Sequence, residues 1–393
     1  MTKLEQLIEE FCPNGVEFKK VKDVFKRLKG TPITAGKMKE IENPNGEIKV
    51  FAGGKTVINA NEADIPNANI TRVPAVLVQS RGVIDVVYYE EPFTFKNEMW
   101  AYTTDNKTTV KYLYYVLKNN IQHFRDAASG MGSLPQISLP VTEEFYIPIP
   151  PLQVQSEIVR ILDNFTELTA ELTAELTARK QQYDYYNNIL LSFDNPTYQT
   201  LEELCDIVDY RGKTPRKVDE GIFLVTAKNI RKGFIDYDKS KEYISPEDYD
   251  EVMHRGFPKM GDVLITTEAP CGNVAQIDNE NIALAQRVIK YRPKSNNLNS
   301  TFLKYVLLGK EFQDKLERAA TGGTVKGIKG SKLHKLTIPV PPIEEQERIV
   351  EILERFDTLC NDISEGLPAE IEGRRKQYEH YRDKLLTFKE LSK

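Results

Sequence analysis

Three short segments combine lysine and arginine with glycine or proline, and their residue types suit contact with an anionic polymer. Segment 321–335 has four glycines, four lysines and no acidic residue, segment 210–217 has four basic residues, and segment 227–233 is the third. Flexible basic loops fit phosphates, and arginine, lysine and asparagine also bond to base edges. We therefore predict nucleic-acid contacts by these residues: Arg211, Lys213, Arg216, Lys217, Lys228, Asn229, Arg231, Lys326, Lys329 and Lys332.

The first half of the chain carries fewer basic residues in its loops. Lysines cluster at 26–29 and 37–39, and the glycine-rich loop 129–136 has no charge. Serine, threonine and glutamine can also bond to phosphates or bases. The candidates here are Lys29, Thr31, Lys37, Arg81, Ser129, Ser133 and Gln136. For any single lysine, an ordinary solvated position remains the alternative.

Catalytic signatures are absent from the sequence. The nearest match to an amino-methyltransferase tetrad, at 195–198, lacks the second proline, and the segment 211–214 lacks the glycine that a phosphate-binding loop requires at position 207. Four histidines form no recognisable constellation, and four widely spaced cysteines indicate neither a zinc site nor a disulfide framework. We expect no enzymatic activity and no cofactor bound by this chain.

The net charge of −5 over 393 residues argues against a nucleic-acid partner until it is divided by region. Segments 14–145 and 196–335 carry +2 and +3, whereas 146–195 and 336–393 carry −4 each and 1–13 carries −2. The acidic residues therefore lie mainly outside the two globular segments. No apolar run is long enough to span a bilayer, and the acidic N-terminus does not resemble a signal peptide. These features favour a cytoplasmic protein without a membrane partner.

The chain contains an internal duplication. Segments 147–165 and 338–356 share ten identical positions at an offset of 191, and the match resumes near Tyr183 and Tyr378 at an offset of 195. Each half is thus a globular segment followed by a long helix. The predicted organisation is an N-terminal helical arm (1–13), a first domain (14–145), a central helix (146–195), a second domain (196–335) and a C-terminal helix (336–393).

Both helical segments show the apolar spacing of packed helices. Apolar or aromatic residues recur at alternating steps of three and four, with extra steps of four that unwind a coiled coil locally. Two Thr-Ala-Glu-Leu tetrads, at 169–176, lie in the first helix, and Pro368 predicts a kink in the second. We predict antiparallel packing of these helices through residues that include Leu168, Leu172, Leu176, Ile363, Leu367 and Ile371.

The fold class expected from these patterns is α+β. Two globular α/β domains, related by a pseudo-two-fold axis, would be separated by two long antiparallel helices that form a coiled coil. The arm carries an apolar stripe through Leu4, Leu7, Ile8 and Phe11, which resembles the end of the first long helix. We therefore expect the arm to lie beside the C-terminal helix.

Taken together, the two variable halves, each followed by a Pro-Pro-x-x-x-Gln-x-x-Ile-Val-x-Ile-Leu helix, resemble the specificity subunit of type I restriction–modification systems. That pattern begins at Pro150 and at Pro341, and the Thr-Ala-Glu-Leu tetrads resemble the type IC subgroup. The resemblance covers essentially the whole chain. It implies that each domain is a target recognition domain for one half of an asymmetric, split site in double-stranded DNA, in a bacterial or archaeal cell.

The resemblance also implies partners. Two modification subunits would bind S-adenosylmethionine and methylate adenine, and restriction subunits would use ATP and Mg for translocation and cleavage. The chain itself would be non-catalytic and would hold the assembly together. Two rival hypotheses remain: a coiled-coil scaffold with two protein-binding heads and no role on DNA, and an enzyme with an unrecognised site.

Overall fold

The structure, a computed structural model, describes residues 2–54, 56–129, 134–210, 215–322, 326–361 and 366–391. The chain divides into two compact units. Unit 1 consists of Met1–Thr173 and Glu370–Lys393, and unit 2 of Ala174–Ala369. Each unit contains one globular domain together with parts of the long helical segments.

Unit 1 begins with a short helix, continues through nine strands and five further helices, and then enters the first long helix. One turn of 3₁₀ helix lies at Glu62–Asp64. The elements are α1 (Lys3–Phe11), β1 (Glu17–Lys20), α2 (Val21–Val24), β2 (Lys26–Lys29), α3 (Ala35–Ile41), β3 (Ile48–Phe51), β4 (Val57–Ala60), β5 (Ala75–Gln79), β6 (Asp85–Tyr89), β7 (Phe93–Phe95), β8 (Trp100–Thr103), α4 (Lys107–Asn119), α5 (Ile121–Asp126), α6 (Leu139–Glu143), β9 (Tyr146–Ile149) and α7 (Leu152–Leu190).

The described strands of unit 1 form three sheets. An antiparallel four-stranded sheet has the order β2-β8-β5-β6, a three-stranded sheet has the order β4-β3-β7 with β3 and β7 parallel, and β1 pairs with β9. Strand β5 is buried at all five positions, as its run Ala-Val-Leu-Val-Gln predicts for a central strand. The core between the four-stranded sheet and α4 includes the buried Val76, Tyr102 and Leu113.

Unit 2 continues from α7 and ends within the second helical segment. One turn of 3₁₀ helix lies at Pro246–Asp248. The elements are β10 (Tyr198–Thr200), α8 (Leu201–Leu204), β11 (Cys205–Asp209), β12 (Lys217–Val218), β13 (Ile222–Val225), β14 (Tyr243–Ile244), α9 (Tyr249–Met253), β15 (Val263–Thr267), β16 (Cys271–Gln276), β17 (Ile282–Leu284), β18 (Val288–Pro293), α10 (Ser300–Leu308), α11 (Lys310–Ala319), α12 (Gly330–Leu333), β19 (Thr337–Pro339), α13 (Ile343–Asn361) and α14 (Leu367–Leu386).

The strand orders of unit 2 repeat those of unit 1, with one additional strand, β12, in the second sheet. Its antiparallel sheet has the order β11-β18-β15-β16, its second sheet the order β12-β14-β13-β17 with β13 and β17 parallel, and β10 pairs with β19. The sequence duplication therefore extends to the globular domains, where few residues match. Matching caps also start the packing helices: the Asn106 side chain accepts a hydrogen bond at the start of α4, and Asn299 does so at α10.

Helix α7 spans 39 residues, which is about 58 Å at 1.5 Å per residue. Within each unit, a phenylalanine of one helical segment stacks on a tyrosine of the other. In unit 1, the rings of Phe165 and Tyr381 lie 5.7 Å apart, and in unit 2 those of Phe356 and Tyr186 lie 5.6 Å apart. Because the start of one repeat meets the end of the other, the segments that pack within each unit are antiparallel.

The predicted packing residues that the structure describes differ in burial. Leu172 and Leu367 are buried, whereas Leu168, Leu176 and Ile371 are half-buried. Ile363 lies outside the described residues. Pro368 is the second residue of α14, a position where a missing backbone N–H costs no helical hydrogen bond.

The apolar stripe of each helical segment includes one arginine, Arg179 in the first and Arg374 in the second, and the two make the same local contacts. Arg179 bonds to Glu175 and Gln182, and Arg374 pairs with Glu370 and bonds to Gln377. Both therefore satisfy their charge within their own helix, as an edge position of a packed helix requires.

The N-terminal arm lies beside the end of α14 in unit 1, as the sequence predicts. Leu4 of the arm and Leu386 of α14 belong to one buried core. Just after the arm, Val16 forms a parallel bridge with Glu390, and the N–H of Leu391 donates to the carbonyl of Val16 at 2.9 Å. Leu4 is buried in the core of unit 1, with Leu7 packed against it. The arm is thus part of the unit 1 core.

Candidate nucleic-acid interface

Several loops of unit 1 meet at one edge of its sheets. The N–H of Gly54 donates to the carbonyl of Arg81 at 3.0 Å, and the N–H of Gly82 donates to the carbonyl of Pro135 at 2.9 Å. Backbone bonds of this kind hold irregular segments in a defined geometry. We call this surface loop edge 1, comprising residues 29–31, 52–54, 80–82, 96–98, 129 and 134–137.

Further backbone bonds join the remaining loops to this edge. The N–H of Ser129 donates to the carbonyl of Gln136 at 2.9 Å, and Gln136 also bridges to Arg81. The N–H of Thr31 donates to the carbonyl of Phe95 at 2.7 Å. Residue 30 must be glycine here, because an added Cβ would lie 2.2 Å from that carbonyl oxygen.

Unit 2 forms the equivalent surface with the same backbone pattern. The N–H of Ile328 donates to the carbonyl of Thr267 at 2.9 Å, and Thr321 and Gly327 exchange two backbone bonds. Arg216 and Gln286 line one cleft of about 300 Å³ beside this surface. We call this surface loop edge 2, comprising residues 215–216, 226–229, 267–269, 285–287, 321–322 and 326–329.

The side chains exposed on both edges have the chemistry that base recognition uses. Arg81, Ser129 and Gln136 are exposed on loop edge 1, and Arg216 and Lys228 on loop edge 2. Arginine forms two hydrogen bonds with guanine, glutamine does so with adenine, and lysine neutralises phosphates. These five predicted contact residues lie where a ligand can reach them.

Two predicted residues lie in the interior instead. The Thr31 hydroxyl lies 2.7 Å from that of Thr94, and the Asn229 amide nitrogen donates to the carbonyls of Asp236 and Ser240, each at 2.9 Å. Both side chains stabilise their loops from within. Their burial argues against direct DNA contact, because these polar groups already have partners in the protein.

Four predicted cations are engaged in ion pairs. Lys37 pairs with Glu40 on α3 at 3.1 Å, and the other three also contact carboxylates. Ion pairs at a protein surface contribute little to stability. The other three pairs are Lys217 with Glu242, Arg231 with Asp236, and Lys326 with Glu317.

Of the remaining predicted residues, Lys29 belongs to loop edge 1 and Lys329 to loop edge 2, whereas Lys332 lies outside both edges. Lys29 ends β2 and is exposed, Lys329 precedes α12, and Lys332 lies on that helix with its side chain exposed. Ser133, Arg211 and Lys213 lie outside the described residues. The two loop edges therefore contain ten of the 14 predicted residues that the structure describes.

Two charged residues on loop edge 2 escaped the sequence analysis. The Nε of Arg287 lies 2.9 Å from a carboxylate oxygen of Glu268, although the two residues are 19 positions apart in the chain. Neither belongs to a basic segment, so the local composition contained no signal. An alignment of the two halves could have placed them on the loops after β15 and β17.

The described residues offer no reactive centre at these edges. Burial raises the pKa of all four cysteine thiols, that of Cys205 to about 12, so they stay protonated at neutral pH. Over the described part of the chain, no group of three or more histidine, cysteine or acidic residues is arranged to hold a metal ion.

The tetrads of α7 satisfy their own polar groups. The hydroxyls of Thr169 and Thr173 donate to the carbonyls of Phe165 and Thr169, at 2.8 and 2.7 Å. Each threonine thus bonds to the preceding turn, as threonine does inside helices. The repeat extends the helix while placing one leucine per unit on the half-buried stripe.

No described helix is both long and apolar enough to cross a membrane.

Comparison with known proteins gives consistent matches over most of the chain. The model of a family described as "Type I restriction modification DNA specificity domain" matches residues 13–179 and 197–373. The type I restriction enzyme EcoR124I/EcoR124II specificity subunit of Escherichia coli is 39% identical over 310 residues, which cover 72% of each protein.

Two solved structures share the fold. The S subunit of the type I restriction–modification system from M. genitalium has a TM-score of 0.58 and 16% identity, covering 94% of this chain and 95% of that chain. A chain from a study of complex assembly in the type I R-M system has a TM-score of 0.52 and 17% identity, covering 95% and 98%. At these identities, the similarity concerns the fold.

Proposed function

The chain belongs to the family of type I restriction–modification DNA specificity subunits, and from this premise we propose that it recognises an asymmetric DNA target in two parts, one part for each domain. A specificity subunit selects DNA within a multi-subunit complex and is itself non-catalytic.

One observation carries the proposal. Both units build the same edge from corresponding sheets and equivalent backbone bonds, yet the exposed side chains differ. Arg81 and Gln136 of loop edge 1 correspond to Glu268 and Gly327 of loop edge 2. A common frame with different side chains suits two recognition events of one kind on two different sequences, because base contacts carry sequence information.

The helical segments are proposed to set the distance between the half-sites. Stacked rings join the two segments within each unit, and α7 runs through 39 residues without interruption. A stiff helix keeps a defined length, whereas a flexible linker would not. We therefore propose a target with a fixed number of unspecified base pairs between its halves.

The partners and cofactors of the complex follow from the family and are also proposals. Two modification subunits would bind S-adenosylmethionine, and restriction subunits would bind ATP and Mg, so that this chain binds no cofactor. The site of action would be the cytoplasm of a prokaryotic cell, where the DNA is. The type IC assignment rests on the tetrads at 169–176.

Methylome sequencing of cells that express this chain with its modification subunits tests the proposal. We expect one methylated motif with two different specified halves and a constant gap. Binding of the purified complex to that motif should weaken steeply with salt, because bound phosphates release counterions. A single contiguous motif, or methylation without sequence preference, would contradict the two-part target.

A further inference from the structure

Corresponding positions of the two loop edges carry charges of opposite sign. The N–H of Ile137 donates to the carbonyl of Ser80 at 3.0 Å, and the N–H of Ile328 donates to the carbonyl of Thr267 at 2.9 Å. Ser80 and Thr267 are therefore equivalent. The next residue is an arginine in unit 1, at position 81, and a glutamate in unit 2, at position 268.

A second pair of positions shows the reverse exchange. The Ser80 hydroxyl donates to the carbonyl of Glu98 at 2.7 Å, and the Thr267 hydroxyl donates to the carbonyl of Arg287 at 3.2 Å. Glu98 and Arg287 are therefore equivalent as well. The loop after β5 carries the arginine in unit 1, whereas the loop between β17 and β18 carries it in unit 2.

The ion pairing at these positions also differs between the units. In unit 2, Arg287 and Glu268 contact each other at 2.9 Å. In unit 1, Glu98 pairs with Lys96 at 2.9 Å, and no ion pair of Arg81 occurs within the described residues. Arg81 is exposed and presents its full charge, whereas Arg287 is held by a carboxylate.

The backbone of Arg287 is unusual for a residue with a side chain. Its φ angle is +70°, in the left-handed region that glycine favours. Its pair with Glu268 leaves the two side chains 54% and 44% exposed, and such exposed pairs contribute little to stability. Stability alone therefore does not account for an arginine here, and strained positions of this kind cluster at functional sites.

We propose that Arg81 and Arg287 are the specificity-determining arginines of the two domains, each contacting one guanine, and that Glu268 is a positioning residue for Arg287. This inference rests on the proposed function of the chain. A guanidinium forms two hydrogen bonds with O6 and N7 of guanine, the commonest specific contact in the major groove. The Glu268 carboxylate contacts Nε of Arg287, and a guanidinium has further N–H groups on its terminal nitrogens for a base.

The exchange of charges gives a structural basis for an asymmetric target. The guanine-contacting side chain starts from a different loop in each domain, so it meets a different position of each half-site. A glutamate at the other position is an acceptor, which repels phosphates and guanine acceptors alike. Each edge thus carries one arginine that attracts guanine and one glutamate that disfavours it.

The test uses the assembled complex of this chain with its modification subunits. Variants R81A, R81K, R287A, E268A and E268Q are compared by methylation rates on substrates that change each base pair of the motif singly. Matched controls are R72A and K241A, which remove exposed, ion-paired cations of units 1 and 2 outside the loop edges. Complex formation and circular dichroism identify variants that do not fold.

R81A should reduce discrimination at one G·C pair of one half-site by roughly 5- to 150-fold, and R287A should do so at one G·C pair of the other half-site. R81K keeps the positive charge but lacks the planar guanidinium that donates two hydrogen bonds. It should therefore reduce discrimination at the same base pair as R81A while largely retaining affinity for DNA. It carries the test if R81A fails to fold. E268A should reduce discrimination at the same base pair as R287A. E268Q retains an acceptor oxygen, so it should keep part of that discrimination.

Three results would overturn the inference. These are unchanged discrimination in R81K and R287A, an equal loss on all substrates as expected for a phosphate contact, or relaxation of the same half-site by both variants. Failure of the unaltered complex to prefer any sequence would instead contradict the proposed function. The controls should leave discrimination unchanged at every position.

Discussion

Glu157 anchors the N-terminal arm to the first long helix of unit 1. Its side chain is only 4% exposed, and it accepts hydrogen bonds from Lys3 at 3.1 Å and from Arg160 at 3.0 and 2.7 Å. The bonds from Arg160, followed by that from Lys3, lower the pKa of Glu157 to about 2, although burial acts in the opposite direction. We predict that Glu157→Gln loosens the arm.

The lowered pKa of Glu157 gives an upper limit to the stability that the Glu157→Gln variant can lose. A fall from 4.5 to about 2 corresponds to about 3 kcal/mol of stabilisation when the carboxylate is ionised. Lys3 and Arg160 are 70% and 56% exposed, so water screens both interactions. We therefore expect a loss of about 1–2 kcal/mol at pH 7.

Hydrogen exchange of the α1 backbone amides measures this loss locally. A decrease of about 1–2 kcal/mol in the opening free energy accelerates exchange roughly 5- to 30-fold at pH 7. The unaltered protein should lose the same contribution as the pH falls from about 4.5 towards 2. The sign follows from linkage: a lowered folded-state pKa stabilises the protein above the unfolded value, and protonation removes that stabilisation.

The Glu345–Arg348 pair provides a matched control in unit 2. It has the same spacing and the same two hydrogen bonds, at 2.8 and 2.6 Å, but Glu345 is 37% exposed. Glu345→Gln should leave α1 exchange unchanged and cost less than about 0.5 kcal/mol. Exchange of α1 within twofold of the unaltered protein in the Glu157→Gln variant would refute the proposed anchor.

Three further outcomes are expected. Inserting one more Thr-Ala-Glu-Leu unit after residue 176 rotates the helix by about 40°, close to the ~35° twist of one base pair. Methylome sequencing should therefore find a gap between the half-sites that is about one base pair longer, and an unchanged gap would contradict this. Deleting residues 1–11 should weaken complex assembly, measured by size-exclusion chromatography, more than it alters the motif; a new motif with full assembly would count against it. Asp262→Asn should lower the free energy of unfolding of unit 2 by about 3 kcal/mol, measured by urea unfolding. The variant leaves the buried Lys290 without the carboxylate that lies 3.3 Å from its ammonium group. A loss below about 1 kcal/mol would show that the carboxylate is not required to keep Lys290 buried.

Much of the architecture could be predicted from local sequence pattern. The helix starts after Pro151, the stripe through Leu172, and the arm beside the C-terminal end all follow from spacing and repetition. One difference concerns Tyr146–Ile149, which forms β9 rather than the start of the helical segment. Its pairing with β1 depends on residues about 130 positions away, which no local pattern reveals.

The candidate interface was less predictable. Composition identified basic loops, and it found Arg216 and Lys228, but it also selected Thr31 and Asn229, which are buried. Residue type does not report whether a polar side chain faces water or a neighbouring loop. Arg287 was missed because its importance depends on backbone conformation and on a partner outside its own segment.

The sequence by itself determined the duplication, the long helices and the family, because these depend on periodicity and repeated motifs along the chain. Tertiary structure alone decided which loops meet at each edge, because backbone bonds between distant segments create those edges. It also revealed the exchanged charges at residues 81, 98, 268 and 287, because equivalence there follows from shared hydrogen-bonding positions rather than from residue identity.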